Sequence, residues 1–141
     1  MTKLVQLLLF MPLFAFAEQE LDCEKAWTTL AINQCMHKDL IAAEKVMDKY
    51  LAKSLERYLD DSVSRASIKK GQDAWMSYRD EHCGAVYDTW RDGTIRTSMG
   101  LDCQLELTHQ RTTVLWRSFL TYFDSTPPLL PKPKEYEPKA Y

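Results

Sequence analysis

Gln72-Asp73-Ala74-Trp75-Met76-Ser77-Tyr78-Arg79-Asp80-Glu81-His82-Cys83 decides the fold. Gln72, Trp75, Arg79 and Cys83 follow one another at three, four and four residues, the repeat of a single helix face. The same block carries Ile68, Trp75, Tyr78, His82 and Val86 as an apolar and aromatic set at helical spacing, with Ser64 or Ser67 as its N-cap. Asp92-Gly93-Thr94 then reads as a turn followed by a cap. A third helical block runs from about Thr94 to Phe123, with Met99, Cys103, Leu107, Val114, Leu115 and Phe119 as its inner stripe.

Before this hairpin lies another helical block. Leu40, Met47, Leu51, Leu55 and Tyr58 recur at helical intervals, Thr28 or Thr29 is the candidate N-cap, and Asp60-Asp61-Ser62 is a polar break. No alternating run of useful length argues for a strand, and the chain has only four glycines. Three helices joined by short breaks predict antiparallel neighbours. The fold class expected is therefore all-α: a small, disulfide-stapled, antiparallel three-helix domain with a disordered Pro-rich C-terminal tail.

The four cysteines, Cys23, Cys35, Cys83 and Cys103, allow three pairings. About a hairpin turning near Gly93, Cys83 and Cys103 each lie ten residues from the turn, so they stand level across it. Pairing Cys35 with Cys83 would miss by about 10 Å at a rise of about 1.5 Å per residue. That leaves Cys23 with Cys35, tying an N-terminal arm to the first helix. The same register sets Trp75 opposite Arg111 and Arg79 opposite Leu107. Gln72, Trp75, Arg79 and Arg111 thus read as a structural seam, with an arginine over the indole and the Arg79 head reaching a carboxylate on the first helix.

The ends of the chain differ in kind. Lys3, the apolar run Leu4 to Phe16 and Ala15-Phe16-Ala17 have the three parts of a secretory signal peptide over residues 1–17. The run is too short for a spanning helix of about 20 residues. Glu20-Leu21-Asp22 before Cys23 is too polar for a lipoprotein signal. A periplasmic or secreted chain without stable membrane insertion is expected. The domain proper then covers 18–123, and 124–141 is a Pro-rich flexible tail holding five of the six prolines. That tail is either simply solvated or docks on a partner through Tyr136 and Tyr141.

Loss of the leader leaves 17 basic against 20 acidic side chains, a net charge of −3. With no basic patch, nucleic acid is not an expected partner, whereas a cationic protein suits the acidic balance. His37, His82 and His109 fall one on each helix, so neither a metal nor a cofactor is expected. Glu44 and Asp48 share a helix face and could form an acid/base pair, but a three-helix domain of this size offers little cleft. Pairing with Arg79 or Arg111, or plain solvation, is the expectation for them. No G-x-S-x-G, Ser/His/Asp set or glycine-rich phosphate loop occurs, and no enzymatic role is expected.

Gln72-x-x-Trp75-x-x-Tyr78-Arg79-Asp80-x-x-Cys83, Gly93-Thr94, Cys103 and Thr108-x-x-Arg111-x-x-x-Leu115 together resemble the LprI-type lysozyme-inhibitor family, small exported helical bacterial proteins. The resemblance runs from about Asp22 to Phe119, and Cys23, Thr28 and Cys35 also fit it. The family's Asp-x-x-Leu-Asn signature would fall on Glu44, Met47 and Asp48, with its following tyrosine replaced by Leu51. The resemblance implies binding and blocking of a lysozyme-type muramidase in the envelope. Trp90, Arg91 and Asp92, in the turn Thr89 to Gly93, are the candidate contact residues, because an aromatic beside an arginine is a common anchor composition. Trp90 could equally close the core at the helix end. A periplasmic interaction or immunity module without lysozyme inhibition is the alternative.

Overall fold

A computed structural model describes residues 21–139. The leader assigned to residues 1–17, and Tyr141, lie outside the described residues. A short 3-10 turn, Cys23–Lys25, precedes three α-helices: α1 (Thr29–Arg57), α2 (Ser62–Thr89) and α3 (Arg96–Phe119). The described residues hold no strand, and the class is all-α. The disulfides join Cys23 to Cys35 and Cys83 to Cys103, with Cα–Cα separations of 5.7 and 5.6 Å.

Thr28 caps α1, its hydroxyl accepting from the Ala31 amide at 3.1 Å. The start of α2 is set by Asp61, not by Ser64 or Ser67. The Asp61 carboxylate accepts from both the amide and the hydroxyl of Ser64, at 2.9 and 2.6 Å. A carboxylate accepts two such bonds at once and favours a helix N-terminus, so it displaces serine as the cap. α3 starts later than Thr94. Tight turns continue to Arg96, with the Gly93 amide donating to Trp90 O at 2.9 Å, and Ile95 precedes the helix without a side-chain cap bond.

α3 is the middle element: α1 and α2 both pack mainly against it and touch each other at few points. This position explains where two expected stripes shift. Along α3 the buried residues are Gly100, Leu105, Thr108, Thr112 and Leu115, while Leu107 and Val114 are only half-buried. A helix flanked on two sides needs small residues at the closest approach. Thr108 and Thr112 meet that need because their hydroxyls donate to their own helix, to Gln104 O at 2.7 Å and Thr108 O at 2.9 Å. Along α2 the buried row is Ile68, Gln72, Arg79 and Cys83. Tyr78 and His82 stack on each other outside the bundle, ring centroids 5.4 Å apart.

The apolar core has two parts. Met36, Leu40, Ala43 and Leu105 form one; Met47, Tyr50, Leu115 and Leu120 form the other. Full burial of a leucine such as Leu115 stabilises by roughly 1.5–3 kcal/mol. Glu44 on α1 and Thr108 on α3 fall between the two parts in sequence, so a polar layer divides them.

Residues 120–139 contain neither helix nor strand, as their prolines require. Several of these residues nevertheless contact the helices. The Leu129 amide donates to Leu120 O at 2.9 Å. Trp116 Nε1 donates to Leu130 O and Tyr50 Oη to Pro131 O, each at 2.8 Å. Leu129 and Leu130 pack against the second core part and Tyr136 against the first. Prolines deprive this segment of donors but leave its carbonyls as acceptors, and two ring donors on the bundle use them.

Candidate functional site

Two regions concentrate chemistry. The first is the buried seam. Arg79 is 8% exposed. Its Nη1 donates to Glu44 Oε1 at 2.8 Å and to Thr108 Oγ1 at 3.2 Å. Its Nε lies 3.5 Å from Asp80 Oδ1. Arg111 Nε donates to Gln72 Oε1 at 2.9 Å, and the Gln72 amide in turn meets Met47 Sδ at 3.6 Å. The two guanidinium carbons stand 5.1 and 5.8 Å from the Trp75 ring centroid. One indole thus serves two cations, each contact contributing about 0.5–2 kcal/mol. Burial holds the Arg111 pKa below the ordinary arginine range.

This arrangement is chemically committed. The seam links the three helices through Glu44, Arg79, Thr108, Gln72 and Arg111, although the buried Arg79 Nε makes no hydrogen bond of its own. Asp48 is exposed on the outer side of α1, and the structure does not bring it to Arg79. Arg79 meets Thr108 rather than the neighbouring Leu107 that the simple register sets opposite it, because α3 turns its threonine row inward.

The second region is the turn between α2 and α3. Trp90 is the C-cap of α2, its amide donating to Tyr87 O and Asp88 O, and it is 42% exposed. Arg91 and Asp92 are exposed beside it. The turn is braced from beneath. The Arg96 guanidinium lies 3.8 Å from the Tyr87 ring centroid and 3.6 Å from the Asp88 carboxylate. Tyr87 packs over Gly100 of α3, where a Cβ would stand 3.4 Å from Tyr87 Cβ, at ordinary contact distance. A Cβ on Gly93 would stand 4.0 Å from both the Trp90 ring and Ile95 Cγ1. Trp90 and Ile95 therefore flank one point and form an apolar tip.

The α1 start belongs to the same end of the bundle, where Ser98 Oγ donates to Asn33 Oδ1 at 2.7 Å. There the sequence reading missed Trp27, which is 86% exposed, and the exposed Leu30. Trp27 sits on the arm that the Cys23–Cys35 disulfide ties down, and Leu30 in the first turn of α1. The available signal was a tryptophan one residue before a helix cap, where no core can reach it.

His37, His82 and His109 do not converge. Among the described residues no three His, Cys, Asp or Glu side chains group as metal ligands. No helix there is long and apolar enough to cross a membrane.

The fold and these regions define a stapled helical scaffold with an internal polar lock and a stiff, aromatic-tipped end. Residues 22–115 match the lysozyme inhibitor LprI family. The chain belongs to that family, whose description is that of inhibitors, not enzymes. The match takes in both disulfides, the seam and the turn, and stops before the tail. A protein of Rhizobium meliloti (strain 1021) described as uncharacterized is 30% identical over 109 residues, covering 70% of this chain and 78% of its own. No solved structure matches. Family membership implies a protein partner, and two disulfides are consistent with an extracytoplasmic location.

Proposed function

We propose that this protein is exported through its N-terminal leader and binds and blocks a lysozyme-type muramidase, acting as an inhibitor and not as an enzyme. Membership of the lysozyme inhibitor LprI family carries this reading. The α2–α3 turn is the element that enters the enzyme. Muramidase clefts hold two catalytic carboxylates, and Arg91 offers them a cation while Trp90 supplies apolar contact. A braced turn loses little conformational freedom on binding, which favours tight association. The net acidic surface assists encounter with a cationic enzyme.

The test is a titration of lysozymes of several classes with the oxidised protein, followed by clearing of a peptidoglycan suspension. Inhibition is expected at a stoichiometric ratio, with Trp90→Ala and Arg91→Ala each weakening it at least tenfold. Full lysozyme activity at large excess of inhibitor would reject the reading and leave an envelope interaction or immunity module.

A further inference from the structure

The N-terminal arm carries a disulfide that the core does not explain. Residues 21–28 hold one short 3-10 turn, Cys23–Lys25, and one buried side chain, Ala26. Neither part of the core includes a residue of this arm. Yet Cys23 is bonded to the buried Cys35 of α1. The arm is thus fastened by a covalent bond with little packing beneath it. A staple on an element of this kind fixes where its exposed groups stand. The largest of them is Trp27, 86% exposed against 42% for Trp90.

The arm also lies beside the α2–α3 turn. α1 and α3 run parallel: Ser98 bonds to Asn33, 65 residues away in sequence, and Thr108 and Glu44 meet on one Arg79 nitrogen. Carried one turn towards the N-terminus, this register sets the exposed Leu30 level with the exposed Ile95. Trp27 follows at the level of the turn itself. Trp27, Leu30, Trp90 and Ile95 are therefore four exposed apolar side chains at one end of the bundle, on two elements that each have their own disulfide.

A cleft of about 390 Å³ lies between the arm and the start of α1, bordered by Lys25, Ala26, Trp27, Thr28 and Ala31. It is wide enough to admit a partner's side chain. The carboxylates of Glu24 on the arm and Asp92 in the turn enter no ion pair among the described residues. Apolar surface edged by such groups suits a cationic protein.

We propose that the arm is a second contact element for the same enzyme, and that the Cys23–Cys35 bond holds Trp27 beside the turn for that contact and not to support the core. The proposal rests on the muramidase reading above, in which the turn enters the cleft; the arm then lies against the rim. One partner spanning both is the occupant, because the patch is continuous with the turn and the family is one of lysozyme inhibitors. Neighbouring aromatic anchors exclude water from each other's contacts. Both elements are held before contact, so the gain from the arm falls on the dissociation rate.

The experiment measures the full oxidised chain against immobilised lysozymes of the classes titrated above. Trp27→Ala is expected to raise the dissociation rate at least tenfold, and Leu30→Ser by about threefold. A Cys23→Ser/Cys35→Ala pair should weaken binding as much as Trp27→Ala, with unchanged helical circular dichroism. Hydrogen exchange in the complex should slow at residues 24–31 together with 88–95. Binding with protection confined to 88–95 and no loss in Trp27→Ala overturns this proposal and leaves the reading above standing. Binding to no lysozyme class overturns both. A cysteine pair variant that loses its helices overturns the role given to the staple. Self-association of the protein alone that Trp27→Ala abolishes would assign the patch to a second copy and overturn the proposal as well.

Discussion

α2 and the C-terminal segment lie against the same central pair of helices, yet they are held by opposite means. α2 is fixed by a disulfide and by directional bonds among Gln72, Arg79, Glu44, Thr108 and Arg111. A shift of one residue would break every one of them. The tail is fixed mainly by leucines, a tyrosine and backbone carbonyls, with a Tyr136–Asp102 hydrogen bond and an exposed Lys139–Asp39 ion pair near its end. Such contacts hold an extended segment with less directional constraint than the seam. Charge-bearing seams specify register, while apolar contacts with carbonyl acceptors specify only shape.

The contrast breaks most sharply at the α2 disulfide. Replacing Cys83 and Cys103 by serine frees a loop of 20 residues and should cost about 3 kcal/mol in urea unfolding. Next comes the charge that compensates Arg79. Glu44→Ala leaves that guanidinium buried with Thr108 and Asp80 as its remaining polar partners. It should cost on the order of 2 kcal/mol, less than a fully enclosed pair because Glu44 is partly open to water. Glu44→Gln should recover part of the loss.

On the tail side the effects are smaller and local. Tyr50→Phe removes the bond to Pro131 O and should cost about 1 kcal/mol, seen as faster proteolysis after residue 128 with α2 unaffected. The same phenol makes the tail sensitive to alkali. Burial raises the Tyr50 pKa above its ordinary value, near 10 in the unfolded chain. Its contribution is therefore complete below about pH 10 and is lost as pH rises through the higher folded value. An ionised phenolate also cannot donate to the Pro131 carbonyl. Tail release on an alkaline titration should follow this transition in the native protein and lose it in Tyr50→Phe. The smallest effect belongs to Tyr78→Ala on the outer face of α2, expected within about 0.5 kcal/mol.

Tyr78 also marks where sequence reasoning reaches its limit. The hairpin was legible because Cys83, Gly93 and Cys103 lie close together and a helix repeat accumulates little error over so short a span. The choice between two adjacent faces of α2 was not, since Trp75 belongs to both the row with Gln72 and Arg79 and the row with Tyr78 and His82. Hydrophobicity favours the aromatic row, but the buried row carries polar groups that bond to partners on the other two helices. Thr108 and Thr112 were hidden for the same reason: close helix approach selects size, which a hydropathy pattern does not register. The tail showed its extended form through its prolines and concealed its seat. Carbonyl acceptors leave no mark in a sequence, and of the donors that meet them Tyr50 lies 81 residues away along the chain and Trp116 on the preceding helix. At the turn, the candidate residues Trp90, Arg91 and Asp92 were legible as a composition, while the brace beneath them depends on Tyr87 reaching Gly100 across the hairpin.

The disulfide pattern bears on how the molecule is made. Cys23 bonds to Cys35 and Cys83 to Cys103, so each cysteine joins its immediate neighbour in the series. A chain synthesised from its N-terminus offers the first pair before the second exists. An oxidase that links cysteines in order of emergence reaches the native set directly. Biosynthesis of this scaffold should therefore require a thiol oxidant but no disulfide isomerase.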